Sequence, residues 1–176
     1  VNGRPIKGRQ HDATGRSKRR TKIAGQFAAR TIEMIDSPAF RVLSLSARRV
    51  LDRLEIELAS HGGMDNGRLP VTFDQFERYG IHRHAIAPAI REAEALGFVE
   101  VTEHGRAGNA EHRAPNKFRL TYRHTEAANP TDEWRSIRTI EEAESRARKA
   151  REIPPRSRQV RAPREKSPVP VSANVR

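Results

Sequence analysis

The chain has 176 residues, room for one ordinary domain with extensions, and its 35% hydrophobic and 32% charged content is too polar for a core that engages every residue. It has no cysteine, which excludes disulfides, thiol chemistry and cysteine-ligated zinc, and no apolar run of the roughly eighteen residues that cross a bilayer. The net charge of +12 is uneven: residues 1–25 hold eight Lys/Arg against one acid and 135–176 twelve against five, whereas 26–134 hold fourteen against sixteen. A basic excess confined to the ends points to polyanionic partners there and denies the middle a blanket basic surface.

Residues 1–24 show no apolar periodicity and too little burial potential to offset the entropy of ordering, so they read as a disordered basic arm. Arg19 and Arg20, in its SKRRTK run, suit phosphates without sequence preference; the plainer reading is a solubilising tail. A short helix is expected over 27–35, with Phe27, Ile32 and Ile35 partly buried, stopped by Ser37-Pro38. The strongest helix follows, with Ser46 as N-cap, Ala47, Val50, Leu51, Leu54 and Leu58 at helical spacing, and His61-Gly62-Gly63 as terminator. Arg48, Arg49, Asp52, Arg53 and Glu57 fall on its other face as solvated charges. Asn66-Gly67 then signals a turn before a short edge strand over 69–71.

Thr72 caps the next helix, placing Phe73, Phe76 and Tyr79 on one side, and Gly80 ends it because glycine takes the left-handed conformation at no steric cost. Ile81 is an apolar plug before a second amphipathic run, with Ile86, Ala89, Ile90, Ala93 and Leu96 inward and His84, Ala85, Ala87, Pro88, Arg91 and Glu92 outward. A proline inside a helix removes a backbone bond, so Pro88 favours a start nearer Ala85 than Arg83. After Gly97, FVEV alternates as a strand, and KFRLTY does the same with Phe118, Leu120 and Tyr122 on one face, so the two pair antiparallel. The long connection between them is basic: residues 104–123 hold five Lys/Arg against Glu111 alone. Thr131 caps a turn containing Trp134, which packs back on the domain. Residues 139–153 favour helix, with acids early and bases late, yet carry few large apolar side chains, so this helix projects or lies on a partner. The proline-rich remainder reads as disordered.

The stretch LPVTFDQFERYGIHRHAIAPAIREAEALGFVEVT resembles bacterial winged-helix DNA-binding domains of small transcription regulators and of plasmid or phage replication and mobilisation proteins. Gly80-Ile81 at the turn, Ala89, Ile90 and Leu96 inside, and the Leu96-Gly97-Phe98-Val99 step into the first wing strand carry the likeness, which covers about residues 40–123 and departs from the usual pattern at Pro88 and Ala93. The expected fold class is α+β, mainly α: a winged helix-turn-helix with a small antiparallel β-wing, flanked by disordered basic tails and a C-terminal helix. The expected division is a basic arm at 1–24, a winged-helix domain at 25–134 with its core at 40–123, a polar helix at 135–153 and a basic tail at 154–176.

The resemblance implies sequence-selective binding of double-stranded DNA, by a transcription regulator or an accessory factor of a mobile element, with the second helix in the major groove. Arg83, His84 and Arg91 are the candidates on that helix, Arg106, Arg113 and Lys117 those from the wing on phosphates or in the minor groove, and Arg19 and Arg20 those of the arm. The main alternative is an RNA- or ribosome-associated protein that binds through its tails, and a third is a protein-binding winged domain. A homodimer is allowed, no membrane partner is expected, and cytoplasm, at the nucleoid, is the expected location. No phosphate loop, HExxH or GxSxG occurs, so neither catalysis nor a cofactor is expected. His82 and His84 form an H-x-H without a third ligand nearby and read as polar residues at the helix start.

Overall fold

The computed structural model describes residues 25–106 and 114–152; the expectations placed on Arg19, Arg20, Arg113 and the ends of the chain lie outside the described residues. Within them the fold is α+β and mainly helical, with six α-helices and a small three-stranded antiparallel sheet. The helices α1 (Ile32–Asp36) and α2 (Pro38–Val42) meet at Ser37, whose backbone N–H donates to the Met34 carbonyl and whose hydroxyl accepts from the Phe40 N–H. The first helix is therefore shorter than expected over 27–35. Thr31 caps it by accepting from the Met34 N–H, which leaves Phe27 outside it, and its single turn buries Met34 while Phe27, Ile32 and Ile35 are exposed.

The long helix α3 (Leu45–Ser60) starts behind Ser44, not Ser46. Ser44 has the extended backbone a cap requires and accepts from the Ala47 N–H at 3.2 Å, whereas Ser46 already lies inside the helix. Ala47, Val50, Leu51, Leu54 and Leu58 are buried as their spacing predicts. The opposite face is less solvated than expected: Arg48 donates to the Phe40 carbonyl, Arg49 to the Gly80 carbonyl, and Arg53 pairs with Glu57 at 2.7 Å.

The strands β1 (Leu69–Val71), β2 (Val99–Glu103) and β3 (Asn116–Leu120) lie in the order β1-β3-β2, so the last strand is central and β1 is the expected edge. Asn66 fixes the start of this sheet. Its amide donates to the carbonyls of Leu120, Arg123 and His124, and its oxygen accepts from the Leu120 N–H. Between β1 and β2 run α4 (Phe73–Arg78) and α5 (Arg83–Ala95), while a 3-10 turn (Glu133–Ser136) and α6 (Ile140–Glu152) close the described chain. Asp132, in left-handed conformation, precedes the 3-10 turn in place of the expected cap Thr131, whose hydroxyl donates to Glu133 instead.

One core joins these parts. Phe40 meets Phe98 edge-on at 5.8 Å, Phe76 meets Phe118 likewise at 5.9 Å, and Trp134 stacks on Phe98 at 6.4 Å, packed back on the domain as expected. Gly97 lets the Trp134 backbone come this close: its φ is +77°, and a Cβ there would lie 2.6 Å from the Trp134 backbone nitrogen. The helix over 139–153 does not project. Ala143, Ala147 and Ala150 recur at i, i+4 and i+7, and their small side chains let α6 pack closely against α5 and α2 without large apolar residues.

Candidate nucleic-acid interface

The α4-turn-α5 unit is built from local chemistry. Thr72 accepts from the Gln75 N–H while the Gln75 side chain accepts from the Thr72 N–H, a capping box that satisfies both ends of the first turn. Gly80, at φ +90°, reverses the chain, and its carbonyl accepts from Arg49 of α3 at 2.6 Å. Ile81 and Phe76 are fully buried beneath the turn, whereas Tyr79 stays at the surface. The helix α5 begins at Arg83, two residues earlier than Pro88 favours, and His82 precedes it without a side-chain capping bond. The first turn closes with the Ala85 N–H donating to the His82 carbonyl, and Pro88 lies inside the helix at the loss of its own backbone bond.

Two residues expected on the open face of α5 are elsewhere. Glu92 is fully buried, because its carboxylate accepts from the Ser44 N–H at 2.7 Å and from the Ser44 hydroxyl at 2.9 Å, with Arg151 of α6 at 3.1 Å. Arg91 is half-buried at the seam with α6, where its Nε donates to the Ala150 carbonyl at 2.9 Å. The seam was hidden at the sequence level because α6 lacks the large apolar residues that announce a packed helix. The small-residue spacing Ala143, Ala147, Ala150 is the signal that reveals it.

The remaining candidates separate into two places. On α5, Arg83 and His84 are exposed next to Ala87 and Pro88. Arg83 lies 2.7 Å from Asp74 and 3.0 Å from Glu77, and these two carboxylates raise its pKa above the ordinary value. The His84 ring stacks on His82, with centroids 5.8 Å apart and planes 15° from parallel. On the sheet, Lys117 pairs with Glu103 at 2.6 Å and holds that carboxyl below its usual range. Arg106 is exposed in a backbone bridge to Ala114 that prolongs the β2-β3 ladder. Thus α5 presents an open strip of one cation, one imidazole, small residues and, near its C-terminal end, the exposed carboxylate of Glu94, and the hairpin presents Arg106 and Lys117.

Among the described residues no three His, Asp or Glu side chains are grouped to hold a metal ion, and no helix is long and apolar enough to cross a membrane. Compared with protein-family models, curated proteins and solved structures, the chain matches none.

Proposed function

We propose that this chain binds double-stranded DNA through a winged helix-turn-helix, with α5 as the recognition helix and the β2-β3 hairpin as the wing. The observation that carries this reading is the open strip of α5. Its inward residues pack on the core, α3 and α4 pack beside it, and α6 covers its Arg91–Glu92 flank, which leaves Arg83, His84, Ala87 and Pro88 of its first two turns, with Glu94 near its end, as the surface offered outward. Small residues let a helix approach base edges closely, and Arg83 has the guanidinium fork that reads guanine. Arg106 and Lys117 from the hairpin would meet phosphate. The biological setting fitting this reading is a regulator or an accessory factor of a mobile element, at the nucleoid.

The pairing of Arg83 and Lys117 with carboxylates favours one rival, in which the basic ends bind RNA and the folded part is a scaffold. Selection of duplexes from a random pool by the intact protein separates the two. An enriched motif whose preference is relaxed by Arg83→Ala or His84→Ala supports recognition by α5. Equal retention of all duplexes, with tighter retention of single-stranded RNA, would replace it with the rival.

A further inference from the structure

We propose that the α2-α6 face is a second phosphate-binding strip, which grips the DNA backbone beside the groove that α5 enters; this rests on the DNA reading above. Arg41 and Val42 of α2 and Ile140, Glu144, Arg148 and Arg151 of α6 line an open groove of about 570 Å³. Three guanidiniums there face one carboxylate. Arg151 is partly offset by the buried Glu92, but the side chains of Arg41 and Arg148 are exposed and make no ion pair among the described residues. Most other cations of the folded part behave differently: Arg53, Arg68, Arg83, Lys117, Arg119 and Arg135 each have a carboxylate within 4 Å.

The position of this groove makes it a flank of α5. Arg91, half-buried where α5 meets α6, donates to the Ala150 carbonyl, and the next residue, Arg151, reaches Glu92 of α5 while lining the groove. Cationic surface therefore continues from α5 across the seam to Arg148 and Arg41. Exposed guanidiniums with no carboxylate to leave bind phosphate without first breaking a pair, and contacts of this kind fix register without reading sequence. The chain beyond Glu152 extends the same charge, with six Lys/Arg against one acid over 156–176.

The test is duplex binding by the full chain across a salt series, comparing the intact protein with the double variant Arg41→Gln/Arg148→Gln and a charge-matched control, Arg135→Gln/Arg146→Gln, whose arginines are ion-paired outside the groove. The groove variant is expected to lower the slope of log affinity against log salt by about 1.8, roughly 0.9 for each lost phosphate contact, with the control unchanged. Equal losses in both variants would show that only net charge matters and would overturn the proposal, as would an unchanged slope in the groove variant. A slope change on single-stranded RNA of the same length, absent on the duplex, would overturn it in favour of an RNA strip. Intact protein that fails to bind any duplex at low salt would remove the DNA reading itself, a result distinct from failure of the groove alone.

Discussion

Glu92 and Ser44, 48 residues apart in sequence, are joined twice, the carboxylate of one accepting both the backbone N–H and the hydroxyl of the other. The same hydroxyl accepts from the Ala47 N–H to cap α3, so a single side chain of α5 fixes the start of the longest helix. Glu92→Ala removes the acceptor and leaves the Ser44 N–H and the inner side of Arg151 unmatched. The expected cost is on the order of 1–3 kcal/mol, read as a lower urea midpoint with an unchanged slope. Arg151→Ala should cost less, about 1 kcal/mol at most, because Arg151 is 43% exposed and its attraction is screened by solvent.

Arg83 must leave Asp74 and Glu77 before it can meet a base edge. On the DNA reading proposed above, the carboxylates oppose binding twice, by holding the guanidinium and by repelling phosphate. Asp74→Asn/Glu77→Gln is expected to raise duplex affinity several-fold at low salt, and adding Arg83→Ala should cancel most of that gain. If affinity is unchanged in the double variant, Arg83 makes no contact with the duplex.

Gly97→Ala places a side chain on a backbone with φ +77° and brings its Cβ within 2.6 Å of the Trp134 nitrogen and 2.7 Å of the Glu133 carbonyl carbon. The left-handed conformation alone costs about 1–2 kcal/mol, so a total above about 2 kcal/mol is expected. Loss of the native Trp134 fluorescence environment should accompany the lower melting temperature, because the stack on Phe98 is held by the same close approach.

His61 caps the C-terminal end of α3 between two carboxylates, with Nδ1 2.9 Å from Asp65 and Nε2 3.4 Å from Glu57. The hydrogen bond to Asp65, then that to Glu57, raises its pKa above the ordinary 6.5. A raised folded value means that its stabilising contribution is full below the unfolded pKa and is lost as pH rises through the folded one. Asp65 is shifted down by the same bond, so its contribution is present above its unfolded pKa and is lost as pH falls through the folded value. Stability from this pair is therefore greatest between the two unfolded values. His61→Gln should flatten the alkaline side of that window in urea titrations, and the His61 ring resonances should titrate above 6.5.

Periodic burial was legible in the sequence because it depends on local spacing: the stripes of α3 and α5 and the alternation of β2 and β3 follow from it, while the Gly80 turn follows from the left-handed backbone that glycine takes and the inward Trp134 from the large apolar surface of its ring. What escaped depends on partners far along the chain. Ser44 and Ser46 are equivalent as caps until Glu92 arrives to bond one of them, and Glu92 itself looks like one more surface acid on an amphipathic helix. The place of Arg91 followed the same error, since its outward position assumed that nothing covered that flank. Alanines conceal a packed helix from any reading that looks for large apolar residues, which is why α6 was expected to project.

Because β3 pairs with both β1 and β2, the chain from Leu69 to Leu120 returns on itself, with α4 and α5 inside the closed span. Phe76 of α4 and Ile86, Ile90 and Ala93 of α5 share one core with Phe118 and Leu120 of β3, so unfolding either helix exposes that core and opening of this region is concerted rather than local. Amide protons in the inward turns of α5 should exchange with solvent as slowly as those of β3, by the same global opening event. Fast exchange in α5 beside slow exchange in β3 would show that the helix opens alone. A helix that opens only with the whole fold presents one fixed shape to its partner, and binding it then requires little ordering of the protein's own backbone.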